Sequence, residues 1–278
     1  MKTFRYVVAD VFTDTPLAGN QLAVFTDARG LDDETMQALA LEIGFSESVF
    51  VLPPEAGGNV RIRIFTPTFE LPFAGHPTLG TAFVLGAPLQ LGVITLETGR
   101  GNVPVVLERD DSGRIVFGRM EQPVPSVEPF AGGEALCEAL GVAGSELPIE
   151  RYDNGATHLF VMLDAEASVV ALRPNLAAVV EFGATGVSCF AGSGERWKTR
   201  MFWAGGEDAA TGSAAGPLAC HLARHGRIAW GDEITISQGA EIGRPSTLYA
   251  RAEGGDGLID RVEVGGQAVT VARGEFRL

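Results

Sequence analysis

Positive charge is in short supply in this 278-residue chain: 21 Lys and Arg stand against 35 Asp and Glu, a formal net charge of −14. Nucleic acids and anionic membrane surfaces both need a basic face, so neither is expected as a partner. Cysteine is sparse as well. The three present, Cys137, Cys189 and Cys220, are odd in number and widely spaced, with no C-x-x-C pair and no Cys/His spacing suited to a metal. A reduced, cytoplasmic setting is the simplest reading. No apolar run approaches the roughly 18 residues that cross a bilayer, and no signal-peptide core follows Lys2 and Arg5. Also missing are a GxxxxGK(S/T) phosphate loop and a GxGxxG turn opening a helix after a strand. Ser213 lies in Thr-Gly-Ser-Ala-Ala rather than G-x-S-x-G, which argues against a serine hydrolase.

What the chain does have is apolar content, 46% against 20% charged, enough for one large core or two ordinary ones and too much for disorder. The stretch from Glu70 to Gly86 brings His76 and two glycines to a charge-free segment, Thr78 to Leu85. Apolar on every side, that segment reads as a buried helix. Pro77 suits a first helical position, so the helix is expected to begin at His76-Pro77. Its first-turn N–H groups lack intrahelical partners and carry partial positive charge, a place for an anion. Gly206 to Gly226 repeats the plan, running from an acidic turn through Gly212 and Ser213 into a second mostly apolar segment. Two buried helix starts suggest one shared cleft.

Around these motifs the apolar spacing predicts strands at Phe4–Phe12, Leu22–Phe25, Phe45–Leu52, Val60–Phe65, Gly92–Thr98, Val103–Leu107 and Arg114–Arg119. A helix capped by Asp32 or Asp33, with Met36, Leu39, Ala40 and Ile43 on one face, stops at Gly44. Three prolines in Glu121–Pro129 mark an extended connector and a boundary, giving domains 1–120 and 121–267. The second half repeats the first in order: Gly155–Met162 matches Gly19–Phe25, a helical piece near Asn175–Phe182 feeds Val187–Phe190, and Trp197–Trp203 leads to the second motif. Alternation in Phe45–Leu52 puts Glu47 on one face with Phe45, Val49 and Val51. Its counterpart in the second half falls near Val187 or Ser188, so one half alone offers the acid.

Several motifs together, Asp10-Val-Phe-Thr with Gly19-Asn20, Gly44-Phe-Ser-Glu-Ser48, Phe65 to Thr78, Glu207 to Ser213, and Gln238-Gly with Gly243-Arg-Pro-Ser246, resemble the phenazine-biosynthesis PhzF family over nearly the whole chain. The resemblance implies an α+β fold similar to diaminopimelate epimerase: two pseudo-symmetric domains, each a β-barrel-like sheet wrapped around a central helix, with the active site in the cleft between them. It also implies that a C-terminal strand, 268–278, returns to the first domain, and that the protein forms a homodimer. Carried onto matching positions, Glu47 is the acid/base residue, His76 and Asp208 assist proton movement, and Gly75, Gly212, Ser213 and Asn20 bind substrate. The family's chemistry is isomerisation of trans-2,3-dihydro-3-hydroxyanthranilate without a cofactor, so no cofactor and no metal are expected. The epimerase relatives place a cysteine in each helix-start motif; Ala74 and Thr211 fall there in this chain, which makes a two-thiol mechanism improbable.

The residues themselves support this chemistry. Shuttling a proton between two carbons needs a group that both gives and takes it, with a pKa near the working pH. Apolar neighbours of Glu47 penalise its charged form and raise its pKa. Glu47 and Asp208, differently solvated, then divide the acid and base roles. Plainer readings exist: Glu47 as an exposed strand residue, His76 as a helix cap, Asp208 as a stabilising first-turn acid. His158, His221 and His225 are scattered and read as structural. The leading expectation is an isomerase acting on a small carboxylate-bearing metabolite. The alternatives are a thiol-independent epimerase or racemase, and a non-catalytic binding or scaffold protein of the same fold.

Overall fold

A computed structural model of the protein describes residues 2–278, and the chain divides into two units, Met1–Glu121 with Gly265–Leu278 and Gln122–Val264. In chain order the first unit builds β1 (Thr3–Val11), β2 (Asn20–Phe25), α1 (Asp33–Ile43), β3 (Glu47–Leu52), β4 (Val60–Phe65), β5 (Glu70–Leu71), α2 (Gly75–Leu89), β6 (Val93–Thr98), β7 (Gly101–Arg109) and β8 (Ile115–Gln122). The second builds β9 (Ser126–Pro129), α3 (Gly133–Leu140), β10 (Glu150–Asp153), β11 (Thr157–Met162), α4 (Glu166–Ala171), α5 (Leu176–Val179), β12 (Gly186–Ser193), β13 (Arg196–Trp203), β14 (Gly206–Asp208), α6 (Gly212–Arg224), β15 (Glu233–Gln238) and β16 (Ser246–Gly255). Strand β17 (Leu258–Gly266) then leads to β18 (Ala268–Arg277), which belongs to the first unit and pairs with β1 along its length.

In the first unit the ladder runs β18-β1-β2-β3-β4-β6-β7-β8, with β2–β3 and β4–β6 parallel and the remaining pairs antiparallel. This mixed sheet curls around α2, which packs against β1, β2, β3, β6, β7 and β18. The helix is buried because it carries no charge to hydrate: Gly75 to Phe83 is shielded at every position. Its glycines permit close approach. A Cβ on Gly80 would lie 2.6 Å from Val11 and 2.7 Å from Leu22 side chains, and one on Gly86 would strike Leu107 at 2.3 Å. Gly86 lies inside α2, which runs on past the Thr78 to Leu85 segment to Leu89. The start differs too. Ala74 is the N-cap and Pro77 is the third helical residue, where its missing N–H is still one that has no partner within the helix.

Helix α1 follows its sequence signals. Asp32 accepts from the Thr35 N–H at 2.8 Å, and Gly44, at φ 70°, closes the helix through a hydrogen bond to Ala40 O. Met36, Leu39 and Ala40 pack on Phe25, Phe50 and Phe65 in a core on the outer side of the sheet. Complete burial of one such large side chain contributes roughly 2 kcal/mol.

The second unit repeats this plan. Its ladder runs β9-β10-β11-β12-β13-β15-β16, with β11–β12 and β13–β15 parallel, and α6 packs against β11, β15 and β16. Part of the proline-rich connector is thus a strand, β9, paired to β10. The ladders also correct the internal alignment by one or two residues. Leu71 and Asp208 each stand four residues before the first residue of the central helix; they pair with Ile64 and Met201, which pair in turn with Val49 and Ser188. Two residues back, Glu47 corresponds to Gly186 rather than to Val187 or Ser188. Leu22, paired with Glu47, corresponds to His158, paired with Gly186.

Candidate active site

Glu47 opens β3 immediately after the turn at Gly44, and His76 is the second residue of α2. Nε2 of His76 stands 3.5 Å from Oε2 of Glu47, with the imidazole almost wholly buried and the carboxyl side chain 15% exposed. Oε2 of Glu47 makes no hydrogen bond among the described residues. Burial pushes the Glu47 carboxyl up to about 7, against a hydrogen bond with Ser46 that acts the other way. Asn20, the first residue of β2, donates from Nδ2 to Nδ1 of His76 at 3.2 Å, and its Oδ1 accepts from the Ser46 hydroxyl at 3.3 Å. An amide nitrogen can only donate, so with this amide orientation Nδ1 is the acceptor and the proton lies on Nε2, with Oε2 of Glu47 facing it across the 3.5 Å contact. Asn20, expected as a substrate-binding residue, is thereby engaged in orienting His76.

In the second unit Asp208 ends β14, opposite Met201. The Thr211 hydroxyl donates to Oδ2 of Asp208 at 2.6 Å. Gln238 ties the turn together: Nε2 donates to the Asp208 carbonyl and to Thr211 Oγ1, both at 2.9 Å, and Oε1 accepts from Thr199 Oγ1 at 3.1 Å. Ser213, second in α6 as His76 is in α2, shares a 3.1 Å hydrogen bond with Nε2 of His158. Its carbonyl accepts from Asn154 Nδ2 at 2.9 Å, and that of Gly212 from Gln122 Nε2 at 2.8 Å. Gly75 and Gly212 are the first residues of their helices, and N–H groups at that position have no intrahelical acceptor. Both form helix starts suited to an anion.

Ala74 and Thr211 are the N-caps of α2 and α6, so neither helix start holds a thiol. Cys137, Cys189 and Cys220 are buried elsewhere as free thiols, and desolvation raises the Cys220 pKa to about 12.

The histidines are less scattered than the sequence suggests. His221, in the last turn of α6, and His225, its C-cap, approach Oε2 of Glu150 at 3.3 and 2.8 Å. Their three ligand-type atoms lie within 4.8 Å of one another. Arg224 occupies the same cluster, donating to that oxygen at 2.9 Å and to Tyr152 Oη at 2.8 Å. A cation would meet a guanidinium already in place, so the cluster works as a salt-bridged tie between β10 and α6. Sequence reasoning missed His158, Thr211 and Gln238 as parts of the site. For Gln238 a signal existed in Gln238-Gly, which the structure converts into the clamp on Asp208.

Two repeats of a curled sheet around a buried helix, one carrying a carboxylate beside an imidazole at the helix start, define an α+β fold of the proton-transferring epimerase and isomerase type. The chain belongs to the phenazine biosynthesis-like family PhzC-PhzF, whose family model matches residues 9–274. It is 52% identical over 277 residues to the trans-2,3-dihydro-3-hydroxyanthranilate isomerase of Pseudomonas aeruginosa, covering 99% of both chains. Among solved structures it resembles a Bacillus anthracis phenazine biosynthesis protein of the PhzF family, with a TM-score of 0.85, 27% identity and full coverage of both chains. A hydroxyproline epimerase from Agrobacterium vitis shares the fold, with a TM-score of 0.65 at 13% identity, covering 98% of this chain and 92% of that one. No helix among the described residues is long and apolar enough to cross a membrane.

Proposed function

We propose that this chain is an isomerase that moves a proton within a small cyclic carboxylate, trans-2,3-dihydro-3-hydroxyanthranilate or a close analogue. The observation that carries the reading is Glu47: a carboxyl raised to about 7, its Oε2 without a hydrogen-bond partner among the described residues, beside the buried imidazole of His76. A group with that pKa is near-equally protonated and ionised at neutral pH, so it takes a proton from one carbon and returns it to another without a large penalty in either direction. His76 steadies the substrate's polar groups through its Nε2–H. On the family resemblance, Asp208, held by Thr211, is a second acidic residue, and Gly75, Gly212 and Ser213 are substrate-binding residues at helix starts suited to an anion.

The 52% identity to a relative of that activity supports the substrate class. Buried free thiols support a reducing, cytoplasmic setting, and the homodimer rests on the family resemblance, to be read by light scattering. The acidic net charge supports a small-molecule partner over nucleic acid. The test is proton NMR of the purified protein with trans-2,3-dihydro-3-hydroxyanthranilate in D₂O. The wild type should consume the compound and place deuterium on a ring carbon, and Glu47→Gln should not. A wild-type protein that leaves the compound unchanged overturns the reading.

A further inference from the structure

His158 occupies a place that the fold does not reserve for a polar residue. Its counterpart in the first unit is Leu22, on the equivalent strand and paired to the equivalent position of the next. Its ring is completely buried, in aromatic contact with Phe160. Desolvation drives its pKa down to about 4, so the ring is neutral and owns a single N–H. Nε2 lies 3.1 Å from Ser213 Oγ, while Nδ1 is buried with no hydrogen-bond partner among the described residues.

These facts fix the direction of the hydrogen bond. Were the proton on Nδ1, a buried N–H would go without an acceptor, which native structures almost never tolerate; an unused acceptor lone pair is the lesser cost. The proton therefore sits on Nε2 and is donated to Ser213 Oγ. With that lone pair occupied, the hydroxyl hydrogen of Ser213 points away from the imidazole. Asn154 fixes the serine from the other side by donating to its carbonyl.

We infer that His158 is a positioning residue that locks the Ser213 hydroxyl as a hydrogen-bond donor aimed at the substrate's carboxylate, beside the first N–H groups of α6. The arrangement is the second unit's equivalent of Asn20 acting on His76: in each, a side chain on the strand under the helix start sets the polarity of the helix's second residue. The inference rests on the isomerase reading for the identity of the ligand, whereas the hydrogen-bond direction does not.

Two measurements separate these. Imidazole nitrogen NMR of the ¹⁵N-histidine protein at neutral pH should show His158 as the Nε2–H tautomer, assigned by loss of the signal in His158→Leu or His158→Gln. An Nδ1–H tautomer or a charged ring overturns the proposal whatever the activity. Steady-state kinetics with trans-2,3-dihydro-3-hydroxyanthranilate supply the second arm. Ser213→Ala and His158→Leu should each raise KM about tenfold, with a smaller change in kcat, and their double variant should be no worse than Ser213→Ala alone. His158→Gln, whose amide nitrogen reaches the same place, should restore most of the loss. Additive effects, or a His158→Leu protein with wild-type KM, overturn the role; if His158→Leu fails to fold, the Gln variant and the tautomer decide. Absence of turnover in the wild type would count against the isomerase reading and leave the tautomer result standing.

Discussion

Nε2 of His76 and Oε2 of Glu47 face each other across 3.5 Å, longer than a good hydrogen bond, while the carboxyl holds its proton to about pH 7. Abstraction of a proton from carbon needs the ionised form. The value of kcat/KM is therefore expected to rise with pH through a single ionisation near 7, and Glu47→Gln to lower turnover by roughly 10²–10⁴-fold and abolish that inflection. A profile flat from acid to neutral pH would remove Glu47 as the base.

The same carboxyl makes a prediction about stability. A group whose pKa is raised on folding binds its proton more tightly in the native state, so its stabilising contribution is complete below about 4.5 and is lost as pH rises through about 7. Glu47→Gln mimics the protonated form at every pH. The variant should match the wild type in acid and exceed it by about 3 kcal/mol, or somewhat less, above neutrality. Chemical denaturation at the two ends of that range provides the check, and a variant less stable at high pH would contradict it.

Asn20 fixes which nitrogen of His76 carries the proton. Asn20→Ala removes that bias along with one buried hydrogen bond of about 1–3 kcal/mol, so kcat should fall by roughly 10–100-fold. Asn20→Asp is the sharper probe. A carboxylate at Nδ1 would draw the proton there and leave Nε2 without one, and steady-state rates should show it no better than the alanine variant.

Arg200 is a structural prediction next to the site. It forms a bidentate pair with Glu207, at 2.8 and 2.7 Å, and donates to the carbonyls of Val169, Val170 and Leu172 at the end of α4. Both side chains are largely buried, 7% and 10% exposed. Arg200→Leu strands the neighbouring carboxylate without its charge partner, for a loss of about 3–5 kcal/mol in thermal or urea unfolding. Replacing both residues by apolar ones should recover much of it.

Much of this architecture was written locally. The capped helix α1, the charge-free α2 and the two helix-start motifs each depend on residues close in the chain, and each is present, α2 with an earlier start than read. Glu47 was legible because period-two alternation placed it among apolar residues. What escaped depended on register. His158 and Ser213 are 55 positions apart and meet through the ladder, and Gln238 reaches Thr211 from 27 positions away. The true start of α2 also escaped: Ala74 is its N-cap and Gly75 its first residue. Such spacings have no periodic signature in a single sequence.

The pairing of β18 with β1, from Thr3 opposite Arg277 to Val11 opposite Ala268, gives the first unit an unusual history during synthesis. Nearly all of that unit leaves the ribosome before the second is made, yet its final strand arrives after it. Until then β1 has a bare edge, open to pairing with a neighbouring nascent chain. The second unit has no such delay, so it is the half that finishes first and the one on whose completion the other's waits.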